Sequence, residues 1–272
     1  MKKTLTLLAI LAAIGPAWGA EVVSSNIVGY QRLTLPDNGL AMIGTAFQNV
    51  GVENAISVQD IQGAGLTGFD FTFATTAGDT LMIWDSGAQA YLTTLYYTGD
   101  SDDSGLMAGF GLEPKTWFDS STFTKSDLVL ENGDAFWVMS SAANATVTIA
   151  GEVPTDANAV TLVQGLNMVA NPYPKATKVN DLFTVTGLTG FDFTFATTAG
   201  DTLMIWDQDA QAYLTTLYYT GDSDDSGLMA GFGLEPKTWF DSSTFQTAET
   251  EIPAGGAFWI MSSGSGQLTF KE

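Results

Sequence analysis

The chain has 272 residues, with nine Lys and Arg against 30 Asp and Glu, and neither His nor Cys. Its formal charge of −21 repels phosphate backbones and anionic headgroups, so nucleic acid and membrane surfaces are not expected partners. Lacking His and Cys, it cannot assemble a Ser-His-Asp or Cys-His device, a disulfide or a thiolate metal site, yet 45% apolar residues are enough for a sizeable core.

Residues 1–19 have the layout of a secretory signal peptide. Lys2 and Lys3 precede an apolar run from Leu5 to Ile14, then Gly15 and Pro16, then small residues with a cut expected after Gly19 or Ala20. The apolar run is about half of what a spanning helix needs. Loss of the two lysines takes the charge from −21 to −23. An exported chain is expected, extracellular, on the cell surface or periplasmic, with no membrane insertion.

The body of the chain repeats itself. Gly65 to Phe123 returns as Gly187 to Phe245, and the two 59-residue blocks differ only where Ser86 and Gly87 become Gln208 and Asp209. Weaker matches flank them: "GDAFWVMSS" answers "GGAFWIMSS", and Gly39–Met42 answers Gly165–Met168. Modules of about 120 residues follow, over 20–150 and 151–272. The sharp block edges read as recent copying of a DNA segment.

Strand signals run through each block. "GFDFTFATT" puts Phe69, Phe71 and Phe73 on one face with a period of two and predicts a half-buried strand with those rings in the core. The same holds for Phe191, Phe193 and Phe195. "DTLMIWD" (Asp79 to Asp85) and "AYLTTLYYTG" (Ala90 to Gly99) predict two more strands, joined by "SGAQ" as a solvent-exposed hairpin turn. "DAFWVMSS" and "ATVTIAG" add a pair. Helical spacing is confined to "NAISVQDI" (Asn54 to Ile61) and "KVNDLF" (Lys178 to Phe183). The fold class is all-β: two tandem modules, each a β-sandwich or partly open β-barrel, with one merged β-domain as the alternative.

The motifs "SSNIVGY", "GLNMVANPYP" (Gly165 to Pro174) and "IPAGGAFWIMSS" resemble an uncharacterised family of secreted, repeat-containing all-β bacterial proteins. The resemblance implies fold and compartment, and no activity. "GLAMIGTAF" (Gly39 to Phe47) in the first module lacks the Asn-Pro-Tyr-Pro element.

Three chemistries remain open. Asp100, Asp102, Ser104 and Gly105 match the first, third, fifth and sixth positions of a calcium loop, with the Leu106 carbonyl at the seventh. Asp222, Asp224, Ser226 and Leu228 repeat the candidate calcium ligands; position twelve is Gly111, where a full loop carries Glu, and a solvated turn is the rival reading. Trp117 and Trp239 are candidate stacking faces for a glycan, against a core role. Carboxylates such as Glu113 and Glu235 would serve a glycosidase, but acidic residues are too abundant to single out a pair. The reading is an exported, non-enzymatic structural or interaction protein, its partner an extracellular protein or glycan, with self-association open. A carbohydrate-binding protein is the alternative and a carboxylate-based glycoside hydrolase the third reading.

Overall fold

The computed structural model describes residues 28–49, 55–75, 78–102, 104–154, 158–197, 200–224 and 226–271. The expected signal peptide lies outside them. Among these residues, twelve strands lie in the first half: β1 (Val28–Thr34), β2 (Gly39–Gly44), β3 (Ala55–Ser57), β4 (Gln62–Ala64), β5 (Thr80–Asp85), β6 (Ala90–Tyr91), β7 (Leu95–Tyr97), β8 (Trp117–Asp119), β9 (Thr124–Lys125), β10 (Val129–Glu131), β11 (Ala135–Ser140) and β12 (Thr146–Glu152). Their counterparts are β13 (Ala159–Leu162), β14 (Gly165–Ala170), β15 (Thr177–Lys178), β16 (Phe183–Thr186), β17 (Thr202–Asp207), β18 (Ala212–Tyr213), β19 (Leu217–Tyr219), β20 (Trp239–Asp241), β21 (Gln246–Thr247), β22 (Glu251–Ile252), β23 (Ala257–Ser262) and β24 (Gly266–Phe270).

The two halves share one topology. In the first, the main sheet runs β2-β11-β5-β7-β8-β9 with β6 beside β5, a small sheet runs β1-β12-β4, and β3 pairs β10. In the second, the orders are β14-β23-β17-β19-β20-β21 with β18 beside β17, β13-β24-β16, and β15-β22. The protein is all-β, and in each half a main sheet covers a smaller one as in a sandwich.

Alternation along the strands explains the packing. Leu81, Ile83, Phe136 and Val138 point inward and meet Val147 and Ile149 of the small sheet, with Tyr97 and Trp117 closing the same core. The intervening residues Met82, Trp84 and Trp137 point the other way, and there they meet Met168, Met204, Trp206 and Trp259 of the second half. These strands are buried on both faces, which is why they read as unbroken apolar runs.

The contact between halves is reciprocal. Trp84 stands edge-on to Trp259 at 5.3 Å between ring centroids, and Trp137 to Trp206 at 5.2 Å. Trp84 Nε1 donates to the Leu166 carbonyl at 2.9 Å and Trp206 Nε1 to the Leu40 carbonyl at 3.0 Å. Gln89 bonds both backbone groups of Leu166, and Gln211 both of Leu40. A patch that contacts its own copy in this crossed manner is isologous, the arrangement of a two-fold dimer, here within one chain.

Some local expectations fail. "GFDFTFATT" is a turn, not a strand: the Asp70 carboxylate accepts the N–H groups of Thr72 at 2.9 Å and Thr75 at 2.8 Å, and Phe73 takes φ +58°. That side-chain bonding competes with a ladder and wins. Phe71 and Phe193 are buried as expected, whereas Phe73 and Phe195 are exposed. "NAISVQDI" forms β3 and a 3-10 turn (Val58–Asp60), and "KVNDLF" contains one helical turn, Val179–Leu182. In the first, Gln59 bonds the backbone of Trp117 and Ser126, and in the second Asn180 does the same to Trp239 and Ala248. The β5–β6 hairpin turn and its β17–β18 counterpart are present, but each leans on the other half: Gln89 donates to the Leu166 carbonyl at 3.0 Å, and Gln208, one of the residues that differ between the copies, to the Thr34 carbonyl at 3.0 Å.

Candidate interaction site

The acidic loop is held by its own carboxylates. Asp102 Oδ1 accepts from Met107 N–H at 3.1 Å and Ser104 Oγ at 3.2 Å, and Asp102 Oδ2 from Ala108 N–H at 3.1 Å. It thereby satisfies the free N–H groups at the start of the 3-10 turn Met107–Phe110, a capping role. Partial desolvation works against its charge, but the N–H groups of Ala108 and Met107 and the Ser104 hydroxyl outweigh it and keep the carboxyl below the ordinary range. Asp100 accepts the Tyr97 hydroxyl at 2.8 Å. The Leu106 carbonyl accepts Gly109 N–H at 2.9 Å. Asp224 caps the second copy in the same way, Asp222 accepts Tyr219, Ser226 bonds Asp224, and the Leu228 carbonyl takes Gly231 N–H.

These residues sit together as a turn in which both Asp102 oxygens, the Ser104 hydroxyl and one Asp100 oxygen are hydrogen-bonded. Among the described residues, no group of three acidic side chains is placed to hold a metal ion. Glu113 and Glu235 are exposed, and their carbonyls accept Thr98 and Thr220.

Trp117 and Trp239 are corrected from stacking faces to core. They are 0% and 2% exposed, and Trp117 Nε1 donates to the Ile61 carbonyl at 2.8 Å. They stand on the inward face of β8 and β20 against Tyr97 and Tyr219, so neither offers a ring to a ligand. The asparagines of "GLNMVANPYP" are structural as well. Asn167 bonds both backbone groups of Val163, and Asn171 bonds the carbonyls of Lys175 and Pro253 and the N–H of Tyr173.

What the alternation hid is an aromatic patch. Phe73 is 60% exposed and Phe110 42%, with ring centroids 6.3 Å apart, and Phe123 stacks on Phe110 at 5.1 Å. Phe73 and Phe123 both hold the left-handed backbone, φ +58° and +55°. That conformation costs a non-glycine residue about 1–2 kcal/mol, which marks the turn as a place where conformation is enforced by its surroundings. Phe195, Phe232 and Phe245 reproduce the arrangement.

Beside the patch lies an open groove of about 270 Å³, lined by Phe69, Phe71 and Met107 below and by Asp70, Asp100 and Asp102 around it. Hydrogen bonds from the hydroxyl and N–H of Thr72, and then from Thr75, hold the Asp70 carboxyl at about 2. The second module has the same groove, of about 260 Å³, around Asp192, Asp222 and Asp224.

No family model and no curated protein matches this chain. Among solved structures, the major capsid protein P2 from bacteriophage PM2 aligns over 89% of this chain and 96% of its own length, at 10% identity and a TM-score of 0.20. That score lies below the level of a shared topology. No helix among the described residues is long and apolar enough to cross a membrane.

Proposed function

We propose that the chain is a non-enzymatic structural or interaction protein working outside the cytoplasm, and that the phenylalanine patch repeated on its two modules is its contact surface. One observation carries this reading: Phe73 and Phe110, like Phe195 and Phe232, stand in solvent in both copies, and Phe73 and Phe195 are held there by a left-handed backbone that burial alone would not require. Two copies on one chain favour multivalent contact, because the second contact forms intramolecularly after the first. Calcium at the acidic loops remains a subordinate proposal, in which an ion would bridge capping carboxylates already in use.

The test is retention. Phe73, Phe110, Phe195 and Phe232 are changed to Ser, folding is checked by circular dichroism, and the amount of protein held on the producing cells is compared with wild type. The four-fold variant should be released to the medium and single-patch variants should be intermediate. Retention equal to wild type would reject the patch as contact surface, and turnover of a polysaccharide panel by the pure protein would reject the non-enzymatic reading.

A further inference from the structure

We infer that each phenylalanine patch docks a basic segment of a partner protein, one in which Lys or Arg is interleaved with apolar side chains. The inference rests on the patch being the contact surface and adds the chemistry of what it contacts. The apolar face and the groove are continuous: Phe71 lines the groove and lies 5.7 Å from Phe110, and Phe73 N–H bonds the Asp70 carbonyl. An occupant therefore meets exposed rings and carboxylates within one side-chain length. Among the described residues, three carboxylates line the groove, Asp70, Asp100 and Asp102, and no Lys or Arg does. The whole chain, at −21, adds a long-range attraction for a basic partner.

Arg and Lys fit this arrangement through both of their parts. Their methylene stems cover apolar surface while the charged head reaches a carboxylate, and a guanidinium also lies favourably over a phenylalanine face. The carboxylates that cap the loop are fixed by their hydrogen bonds, so little ordering is needed when a cation arrives. A metal ion fits less well, because among the described residues no three acidic side chains are placed together to hold one. A glycan fits less well because phenylalanine has no polar tip to join the hydroxyl network that usually accompanies sugar stacking.

The experiment uses the full chain, isothermal titration calorimetry and an amidated peptide of alternating Arg and Leu. Controls are the same peptide with Glu for Arg, the same with Gly for Leu, a neutral β-glucan, and calcium chloride. Two sites per chain are expected for the Arg-Leu peptide, weakening with added salt. Phe73→Ser with Phe195→Ser should weaken binding more than about tenfold, as loss of an aromatic anchor does. Asp100→Asn with Asp222→Asn, which keeps an oxygen for the tyrosine hydroxyl, should weaken it about two- to fivefold. Val129→Ser, an exposed apolar residue on β10, should change nothing. The inference is overturned if the Glu-Leu or Arg-Gly peptide binds as well as Arg-Leu, if the glucan or calcium binds these grooves in preference, or if the Phe and Asp variants bind like wild type. If no peptide binds while the Ser-substituted chain is still released from cells, the basic partner is wrong and the contact surface stands.

Discussion

Gly44 at the end of β2 lies hard against Ala170 of the second module, and adding one methyl there tests how the two are joined. A Cβ on Gly44 would lie 1.9 Å from the Cβ of Ala170, whereas carbon atoms in contact sit about 3.5–4.0 Å apart. The backbone at Gly44 is not left-handed, so alanine is refused by space and not by conformation. To admit it, the strands must part by roughly 2 Å. That separation would break the hydrogen bonds from Gly44 N–H to the Gly255 carbonyl and from Ala170 N–H to the Gly133 carbonyl, both 2.8 Å. Overpacking costs about 1–3 kcal/mol and each of the two lost bonds about 0.5–1.5 kcal/mol, so Gly44→Ala should destabilise by about 2–6 kcal/mol. Urea melts followed by tryptophan fluorescence report this directly, since four of the seven tryptophans, Trp84, Trp137, Trp206 and Trp259, line the contact. Ala170→Gly in the same chain removes the opposing methyl and should restore all but about 1 kcal/mol, the strand penalty of glycine. Wild-type stability for Gly44→Ala, or a double variant no better than the single one, would refute the reasoning.

Three further outcomes are expected. Phe71→Ala should cost about 3–5 kcal/mol because Phe71 is buried, while Phe73→Asn, which suits the left-handed backbone, should stay within about 1 kcal/mol of wild type in the same melts. Asp70 and Asp192 should titrate at about 2 by NMR; because their folded values are depressed, their contribution to stability is present above about pH 4 and is lost as pH falls towards 2. Tyr97 and Tyr219 are pushed well above the usual tyrosine range by burial and then by their bonds to Asp100 and Asp222; their contribution is full below about pH 10 and is lost as pH rises beyond it, so ultraviolet titration should show both ionising late, together with alkaline unfolding.

Periodicity made the all-β fold legible, and burial on a second face escaped it. Leu81 and Ile83 alternate with Met82 and Trp84, and an apolar residue at every position says that a strand is covered without saying by what. The module contact was therefore invisible, although the tryptophans that form it are plain in the sequence. "GFDFTFATT" misled for the opposite reason. Its alternation is real, but Asp70 with Thr72 and Thr75 offers the backbone a side-chain partner, and that local bonding overrode strand pairing. The same turn carries the candidate site, so the residues that break the pattern are the ones of functional interest. The acidic loop was readable as a turn, and its capping of Met107–Phe110 follows from ordinary Asp chemistry.

The two patches fall wholly inside the near-identical block, from Gly65 to Phe123 and from Gly187 to Phe245, whereas Gly44 and Ala170 fall outside it. A gene built this way can revise its surface in concert. One exchange between the copies carries a new Phe73 or Asp100 neighbourhood to the other module at a stroke, so natural variants should differ in both patches together. Gly44 and Ala170 are out of reach of that exchange and are free to stay unequal, whereas Trp84, Gln89, Trp206 and Gln211, which also join the modules, travel with it. A lineage that changes by this route what the protein touches thus recopies, in the same event, part of the contact that holds its halves together.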